Sequence, residues 1–107
     1  MHSSTYATPV EQLEAASADW LRDLEEHGVS PSTITGYALT AGDFIRFFAA
    51  EEDNPSAPSY ADVRLWAQTF DRRGLTLRTQ QQYLIRLRIF FNWAVERGWY
   101  ATNPVLE

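Results

Sequence analysis

The side chains best suited to chemistry in this sequence are hydroxyls and arginines around two similar helix starts, 46 residues apart. Residues 28–33 and 74–79 each read as a glycine, an apolar residue, a hydroxyl residue, and a second hydroxyl three positions on. A tyrosine follows each start, at Tyr37 and Tyr83. Serine and threonine are preferred N-cap residues, and the free amides of a helix N-terminus attract anions. The repeated pattern therefore indicates two equivalent helix ends suited to phosphate groups.

Only the second of these starts leads into a basic helix. Its predicted solvent face carries no carboxylate before Glu96 and presents Arg78, Gln81, Gln82, Arg86, Arg88 and Asn92. Such donors bind phosphate oxygens, guanine through Arg, or adenine through Gln and Asn. The alternative is an ordinary solvated helix face. The role of four hydroxyls is also left open: Ser30, Thr33, Thr76 and Thr79. They either cap the helices only or cap them and also contact phosphate. A third alternative is that Thr33 and Thr79 turn inward and bond the preceding turn.

No catalytic or metal-binding constellation is visible in the sequence. Tyr37 and Tyr83 fall on apolar stripes and are predicted to pack in the core. The other tyrosines lack the cluster of basic activators that phosphoryl transfer requires. His2 and His27 are isolated, and the absence of cysteine excludes disulfides and thiolate metal sites. We therefore expect no catalytic residue, no metal and no cofactor in this chain.

The net charge of −5 hides an uneven distribution of charge. Residues 1–62 carry eleven acidic residues and two arginines, whereas residues 63–107 carry three acidic residues and seven arginines. All nine basic residues are arginine, the better planar donor for phosphates and base edges. The second half therefore suits a polyanion. With no signal peptide and no apolar run near the roughly 20 residues of a membrane span, we expect a cytoplasmic protein without membrane contact.

Caps and apolar periodicity predict four helices that begin near residues 9, 31, 60 and 77. The predicted N-caps are Thr8, Ser30, Ser59 and Thr76. Gly28 and Gly74 are placed to end the first and third helices, and the fourth runs to about Arg97. Residues 51–58 have no period and are predicted to form a loop. Because no strand-like alternation is present, the sequence predicts an all-α domain.

The second and fourth helices share a core pattern as well as a start. A shift of 46 residues maps Tyr37, Ala38, Ala41, Phe44, Ile45 and Phe48 onto Tyr83, Leu84, Leu87, Phe90, Phe91 and Ala94. The first helix is expected to bury Leu13, Ala16, Trp20, Leu21 and Leu24. The third is expected to bury Val63, Trp66, Ala67 and Phe70, and the fourth adds Val95. Two helical hairpins packed against each other would bury all four stripes.

The repeat and the end of the chain together resemble a known family. The strings that carry the resemblance are Ser30-x-x-Thr33-x-x-x-Tyr37, Thr76-x-x-Thr79-x-x-x-Tyr83 and Phe90-Phe91-x-Trp93-Ala94-x-x-x-Gly98-x-x-x-x-Asn103-Pro104. They are similar to the core-binding domain of tyrosine recombinases, the phage-integrase and Xer-like family. The resemblance covers residues 8–104. It implies a four-helix SAM-like domain that clamps one side of duplex DNA, with its second and fourth helices at the major groove.

The same resemblance implies a domain organisation and a set of partners. Residues 1–7 would be an N-terminal extension, residues 8–104 the core-binding domain, and residues 105–107 the start of a linker or a cloning scar. The family's catalytic domain is absent, so this chain would be the non-catalytic half of a site-specific recombinase. Its expected partners are double-stranded DNA and its own missing C-terminal catalytic domain. The full-length protein would form a tetramer on DNA in the nucleoid, and the isolated fragment a monomer.

The resemblance also implies which residues contact DNA. The candidates are Ser30, Ser32, Thr33, Thr35, Thr76, Arg78, Thr79, Gln81, Gln82, Arg86 and Arg88.

The overall acidity departs from the family pattern, so an acidic helical module that binds other proteins is the alternative function. Part of the apolar set outside the main stripes is expected to pack on the third helix or on the missing domain, with both partners left open: Phe47, Ile85, Ile89 and Trp93.

Overall fold

The computed structural model describes Tyr6, residues 8–51 and residues 56–106. This part of the chain forms α1 (Pro9–Glu26), α2 (Pro31–Ala50), α3 (Tyr60–Arg72) and α4 (Leu77–Glu96), followed by a 3-10 turn, Pro104–Leu106. It contains no strand, and none of its helices is long and apolar enough to cross a bilayer. The predicted all-α class and the four helix starts are confirmed. Parts of the predicted extension, loop and linker lie outside the described residues: 1–5, 7, 52–55 and 107.

Each helix begins where a hydroxyl side chain meets an otherwise unpaired backbone amide. The four N-caps each accept the N–H three residues on, and they are the predicted residues Thr8, Ser30, Ser59 and Thr76. The cap of α3 is reciprocal. There the Ser59 N–H donates to Asp62 Oδ2 at 2.8 Å, and the Asp62 N–H donates to Ser59 Oγ at 3.2 Å. Each N-cap stabilises its helix by about 1 kcal/mol.

The first and third helices end in the same left-handed glycine turn. Gly28 has a φ of 78° and Gly74 a φ of 74°. The amide after each glycine donates to a carbonyl five residues back, at 3.1 Å in both helices. Glycine takes this conformation without strain because it has no Cβ. Both turns lead the chain directly into the next N-cap, Ser30 or Thr76, which explains why the two helix starts repeat.

Aromatic rings dominate the core between the four helices. The buried apolar residues are Leu13, Ala16, Trp20, Ala41, Phe44, Phe48, Val63, Trp66, Phe70, Tyr83, Leu87, Phe90, Phe91, Ala94 and Trp99. The other predicted stripe positions are half-buried. Phe44 of α2 meets the edge of Trp66 of α3 at 5.3 Å and of Phe91 of α4 at 6.1 Å between ring centroids. Three helices therefore share one contact point at Phe44.

The two helices of the first predicted hairpin, α1 and α2, pack together more extensively than those of the second, α3 and α4. α1 packs extensively on α2, and α2 packs on α4, whereas α3 touches α4 less. A polar link holds α3 to α2, because Asp43 accepts Trp66 Nε1 at 2.9 Å and Arg73 Nη2 at 2.7 Å. α2 and α4 each contact all three other helices, so both are central to the four-helix architecture.

A second polar link joins α1 to α4 and accounts for one of the unassigned apolar residues. Trp93 Nε1 and Arg97 Nη2 both donate to Asp23 Oδ2 at 3.1 Å. Trp93 therefore bonds to α1, not to the third helix or a missing domain as expected. Phe47 is half-buried against this chain's own core.

The segment after α4 folds back onto the helices. Asn103 Nδ2 donates to the Arg88 carbonyl at 3.0 Å and to Asn92 Oδ1 at 2.9 Å. The 3-10 turn contacts α3 and α4, and Pro104 is buried. The Asn-Pro pair is thus part of the packed unit and fixes how the chain leaves α4.

Candidate nucleic-acid interface

The N-termini of α2 and α4 carry the same arrangement of hydroxyls. Ser30 Oγ accepts the Thr33 amide at 3.3 Å and donates to Thr33 Oγ1 at 2.9 Å. Thr76 Oγ1 accepts the Thr79 amide at 3.2 Å and donates to Thr79 Oγ1 at 3.1 Å. Each threonine hydroxyl accepts one bond and keeps its own proton as a donor. Both helix ends therefore combine free amides with an O–H donor, the groups that bind a phosphate oxygen.

The two remaining hydroxyl candidates on α2 differ in what they can still donate. Ser32 is exposed, and its Oγ lies 3.4 Å from Ser30 Oγ. Thr35 Oγ1 donates to the Pro31 carbonyl at 2.9 Å, so its proton is already used within the helix. Because a phosphate oxygen needs a donor, Ser32 suits a phosphate contact better than Thr35 does.

The candidate arginines of α4 lack the ion pairs that neutralise four other arginines of the chain. Four arginines of the chain pair with described carboxylates: Arg22, Arg46, Arg73 and Arg97. No described carboxylate lies within ion-pair distance of Arg78, Arg86 or Arg88. Arg78 and Arg88 are exposed, as is Gln81, whereas Gln82 and Arg86 are half-buried. The face therefore carries uncompensated positive charge on a chain that is acidic overall.

The acidic residues weaken this positive field at one helix end more than at the other. Glu25 and Glu26 lie exposed at the end of α1, only a few residues before Ser30. Glu51 lies at the opposite end of α2, where burial and the neighbouring Asp62 carboxylate raise its pKa. A helix of this length spans about 30 Å, so Glu51 is remote from the α2 start. Before Thr76 the corresponding residues are Asp71, whose Oδ1 accepts Gln80 Nε2 at 2.9 Å, and Arg72. One carboxylate there is offset by an arginine, so the α4 end is the more favourable site for a polyanion.

Arg86 also holds α4 against α2. Its Nη1 lies 3.4 Å from both the Gly36 carbonyl oxygen and Thr40 Oγ1. A Cβ on Gly36 would stand 3.0 Å from Arg86 Nη2, so the guanidinium rests on bare helix backbone. These long bonds are individually weak, but they direct the side chain. A substitution of Arg86 consequently changes helix packing as well as charge.

A groove of about 380 Å³ lies between the start of α2 and the middle of α4. It is lined by Ser32, Thr33, Tyr37, Gln82, Ile85, Arg86 and Ile89. The groove brings together four of the predicted residues, while the others lie along the exposed parts of the two helices. Ile85 and Ile89 are 48% and 36% exposed, so these two isoleucines line the groove and are not covered by the third helix.

Sequence reasoning missed two features of this groove. Tyr37 was predicted as a core residue, yet it is half-buried and lines the groove. Its ring also contacts Trp20, at 5.0 Å between ring centroids. The contact of Arg86 with Gly36 was also missed. One signal was present, because a glycine inside a helix is destabilising and is often found where another group approaches the backbone closely.

The fold agrees with the comparison to known families. The sequence profile described as "Phage integrase, N-terminal SAM-like domain" matches residues 18–98, from the middle of α1 to the glycine after α4. The chain belongs to this family of N-terminal integrase domains.

The curated relatives that the chain matches carry the name tyrosine recombinase XerC. The chain is 30% identical over 82 residues to the tyrosine recombinase XerC of Bacillus pumilus (strain SAFR-032), a match that covers 76% of this chain and 27% of the relative. It is 30% identical over 80 residues to tyrosine recombinase XerC of Xylella fastidiosa, strains M23 and Temecula1. Each of these matches covers 74% of this chain and 27% of the relative. The chain spans about a quarter of the length of these curated relatives. No solved structure gives a significant match to it.

Proposed function

We propose that this domain is the non-catalytic, DNA-binding clamp of a site-specific tyrosine recombinase and holds duplex DNA at the recombination core site. One observation carries the proposal. The face of α4 bears Arg78, Arg86 and Arg88 without described carboxylate partners, and it meets the hydroxyl-rich start of α2 in a single groove. The family match and the names of the relatives support the same function.

The geometry suggests how the contacts divide. The major groove of B-DNA is about 12 Å wide and admits one α-helix. With α4 in the groove, Arg78 and Arg88 reach phosphates that border it, and Gln81 and Gln82 face base edges. The α2 start then lies beside the groove, where Ser32 and Thr33 donate to a backbone phosphate. Phosphate contacts set the register of the protein on DNA, and base contacts provide specificity.

The catalytic steps are assigned by this proposal to a separate domain. Tyr83 is buried in the core, and burial raises the pKa of the Tyr100 hydroxyl well above its usual value, which makes it a poor nucleophile. The missing C-terminal domain would supply the catalytic residues and grip the opposite side of the duplex. The full-length protein would then act as a tetramer on DNA, and the isolated domain would bind as a monomer.

A titration of labelled duplex DNA tests the proposal by fluorescence anisotropy. Half of a clamp loses most of the avidity of the whole, so we expect a Kd of about 10⁻⁴ to 10⁻⁶ M that weakens steeply with salt. Arg78→Gln and Arg88→Gln should each flatten the salt dependence by roughly one unit per lost phosphate contact. Nanomolar binding that ignores salt would contradict this function.

The matched control is Arg64→Gln on α3. Arg64 is exposed and has no described carboxylate partner, so this change removes the same charge from a different face. At about 0.15 M salt the screening length is about 8 Å, which suppresses the long-range effect of net charge. The proposal fails if Arg64→Gln then weakens binding as much as Arg88→Gln. Arg86 is unsuitable here because it also holds α4 to α2.

A protein-binding role is the second candidate, and one observation favours it. The outer face of α3 exposes Tyr60 and Leu65 beside a shallow depression lined by Ala61, Arg64 and Gln68. Absence of DNA binding by a folded sample would favour this role over the DNA clamp.

A further inference from the structure

Two isoleucines lie in the middle of the donor face of α4. A helix turns by about 100° per residue, which puts Arg86 and Arg88 on opposite sides, each about 80° from the line between Ile85 and Ile89. Both isoleucines are substantially exposed, at 48% and 36%. The face therefore has an apolar centre and a cationic group on each flank.

The surroundings of these isoleucines distinguish them from isolated exposed apolar residues, which are common on protein surfaces. They stand one helical turn apart and line the same groove as Ser32, Thr33 and Gln82. All of these polar neighbours are donors, and no acidic residue lines the groove. An occupant that covers the isoleucines meets donors of the groove, including Arg86, on one side and Arg88 on the other. The surface therefore suits an apolar group that has anionic groups on both of its sides.

We propose that Ile85 and Ile89 contact the 5-methyl groups of thymine in the major groove of DNA. This inference rests on the proposed function and adds a base preference to it. The thymine methyl is the apolar group that DNA bases present in the major groove, and apolar side chains recognise it. Phosphates border that groove on both sides, opposite Arg86 on one flank and Arg88 on the other. Charge complementarity thus selects DNA over an apolar protein surface as the occupant.

The experiment compares two AT-rich duplexes of one sequence, containing either thymidine or deoxyuridine, by anisotropy at about 0.15 M salt. Burial of one methyl group favours the thymine duplex by about fourfold. Ile85→Ala and Ile89→Ala should each bring the ratio of the two affinities toward one. Ile85→Val, which trims a single methylene, should lower it less and keeps the fold even if the alanine variant does not. Leu65→Ala removes an exposed aliphatic side chain from α3 and should leave the ratio unchanged.

Each other outcome overturns the inference in a recognisable way. Binding that falls with Arg88→Gln but does not distinguish thymine from uracil rejects the methyl contact and leaves the DNA clamp intact. A thymine preference that persists in the Ile85→Ala, Ile89→Ala double variant shows readout of DNA shape, which also rejects the contact. If no variant and no wild-type sample binds either duplex, the proposed function fails and this inference fails with it.

Discussion

Replacing Asp43 with asparagine tests the link between α2 and α3, because it removes one charge while keeping the size of the side chain. The Asp43 side chain is 12% exposed and accepts bonds from Trp66 Nε1 at 2.9 Å and from two Arg73 nitrogens at 3.1 and 2.7 Å. Burial raises the pKa of Asp43, but the bonds from Arg73 and Trp66 outweigh it and hold the pKa below its usual value. An asparagine amide would turn its NH₂ group toward one of these donors.

The size of the effect follows from which donor loses its partner. An unsatisfied buried donor costs about 1–3 kcal/mol, and a hydrogen bond to a charged group contributes about 1.5–3 kcal/mol. Trp66 is fully buried and its N–H has no access to water, whereas the Arg73 side chain is 39% exposed and can be rehydrated. We therefore expect Asp43→Asn to lower the free energy of unfolding by about 2–3 kcal/mol. In a domain of this size that lowers Tm by roughly 10–20 °C.

Thermal unfolding followed by circular dichroism at neutral pH measures this change. Asp19→Asn is the control, because Asp19 pairs with Arg22 on the surface of one helix and should contribute less than about 1 kcal/mol. The pH dependence has a definite sign. Because the folded pKa of Asp43 is depressed, the link stabilises above the unfolded pKa near 3.8 and is lost as the pH falls through the folded value. Asp43→Asn should therefore reduce the loss of stability as the pH falls. A Tm within about 2 °C of the wild type at neutral pH would refute the reasoning.

Three further outcomes are expected. Phe91 is fully buried, so Phe91→Ala should lower the free energy of unfolding in urea by about 3–5 kcal/mol, and an unchanged midpoint would contradict its place in the core. Gly74 has a φ of 74°, and nothing lies within 4 Å of a Cβ added there. Gly74→Ala should therefore lower the free energy of unfolding in urea by about 1–2 kcal/mol through backbone strain alone. A gain in stability would show that the turn is not left-handed. Burial raises the pKa of Tyr100, so Tyr100→Phe should leave the tyrosinate absorbance that develops near pH 10 unchanged, and loss of one chromophore there would show an accessible hydroxyl.

The helix boundaries could be predicted because their signals are local. An N-cap hydroxyl and the amide it accepts are three residues apart, as at Ser30 and Thr33 or Thr76 and Thr79. The helix periodicity of apolar residues likewise places Phe91 in the core from its neighbours alone. Both signals act within one or two turns, so the starts of all four helices were predictable without knowledge of the tertiary structure.

The contacts between helices could not be predicted in the same way. Trp93 Nε1 and Asp23 Oδ2 are 70 positions apart in sequence, and Arg86 and Gly36 are 50 apart. Such pairs depend on the rotation of each helix about its own axis, which apolar periodicity defines only coarsely. For this reason the sequence predicted which residues line the faces of α2 and α4 but not that Tyr37 and Ile85 share a groove.

Backbone amide resonances of the isotope-labelled domain, followed by NMR during titration with duplex DNA, test the DNA clamp most directly. We expect chemical-shift changes that grow with DNA concentration at residues 32–36 of α2 and 77–89 of α4 and that diminish at high salt. The outer face of α3, residues 61–68, should remain unchanged. Changes confined to α3, or a spectrum that DNA leaves unaltered while the domain is folded, would contradict a clamp formed by α2 and α4.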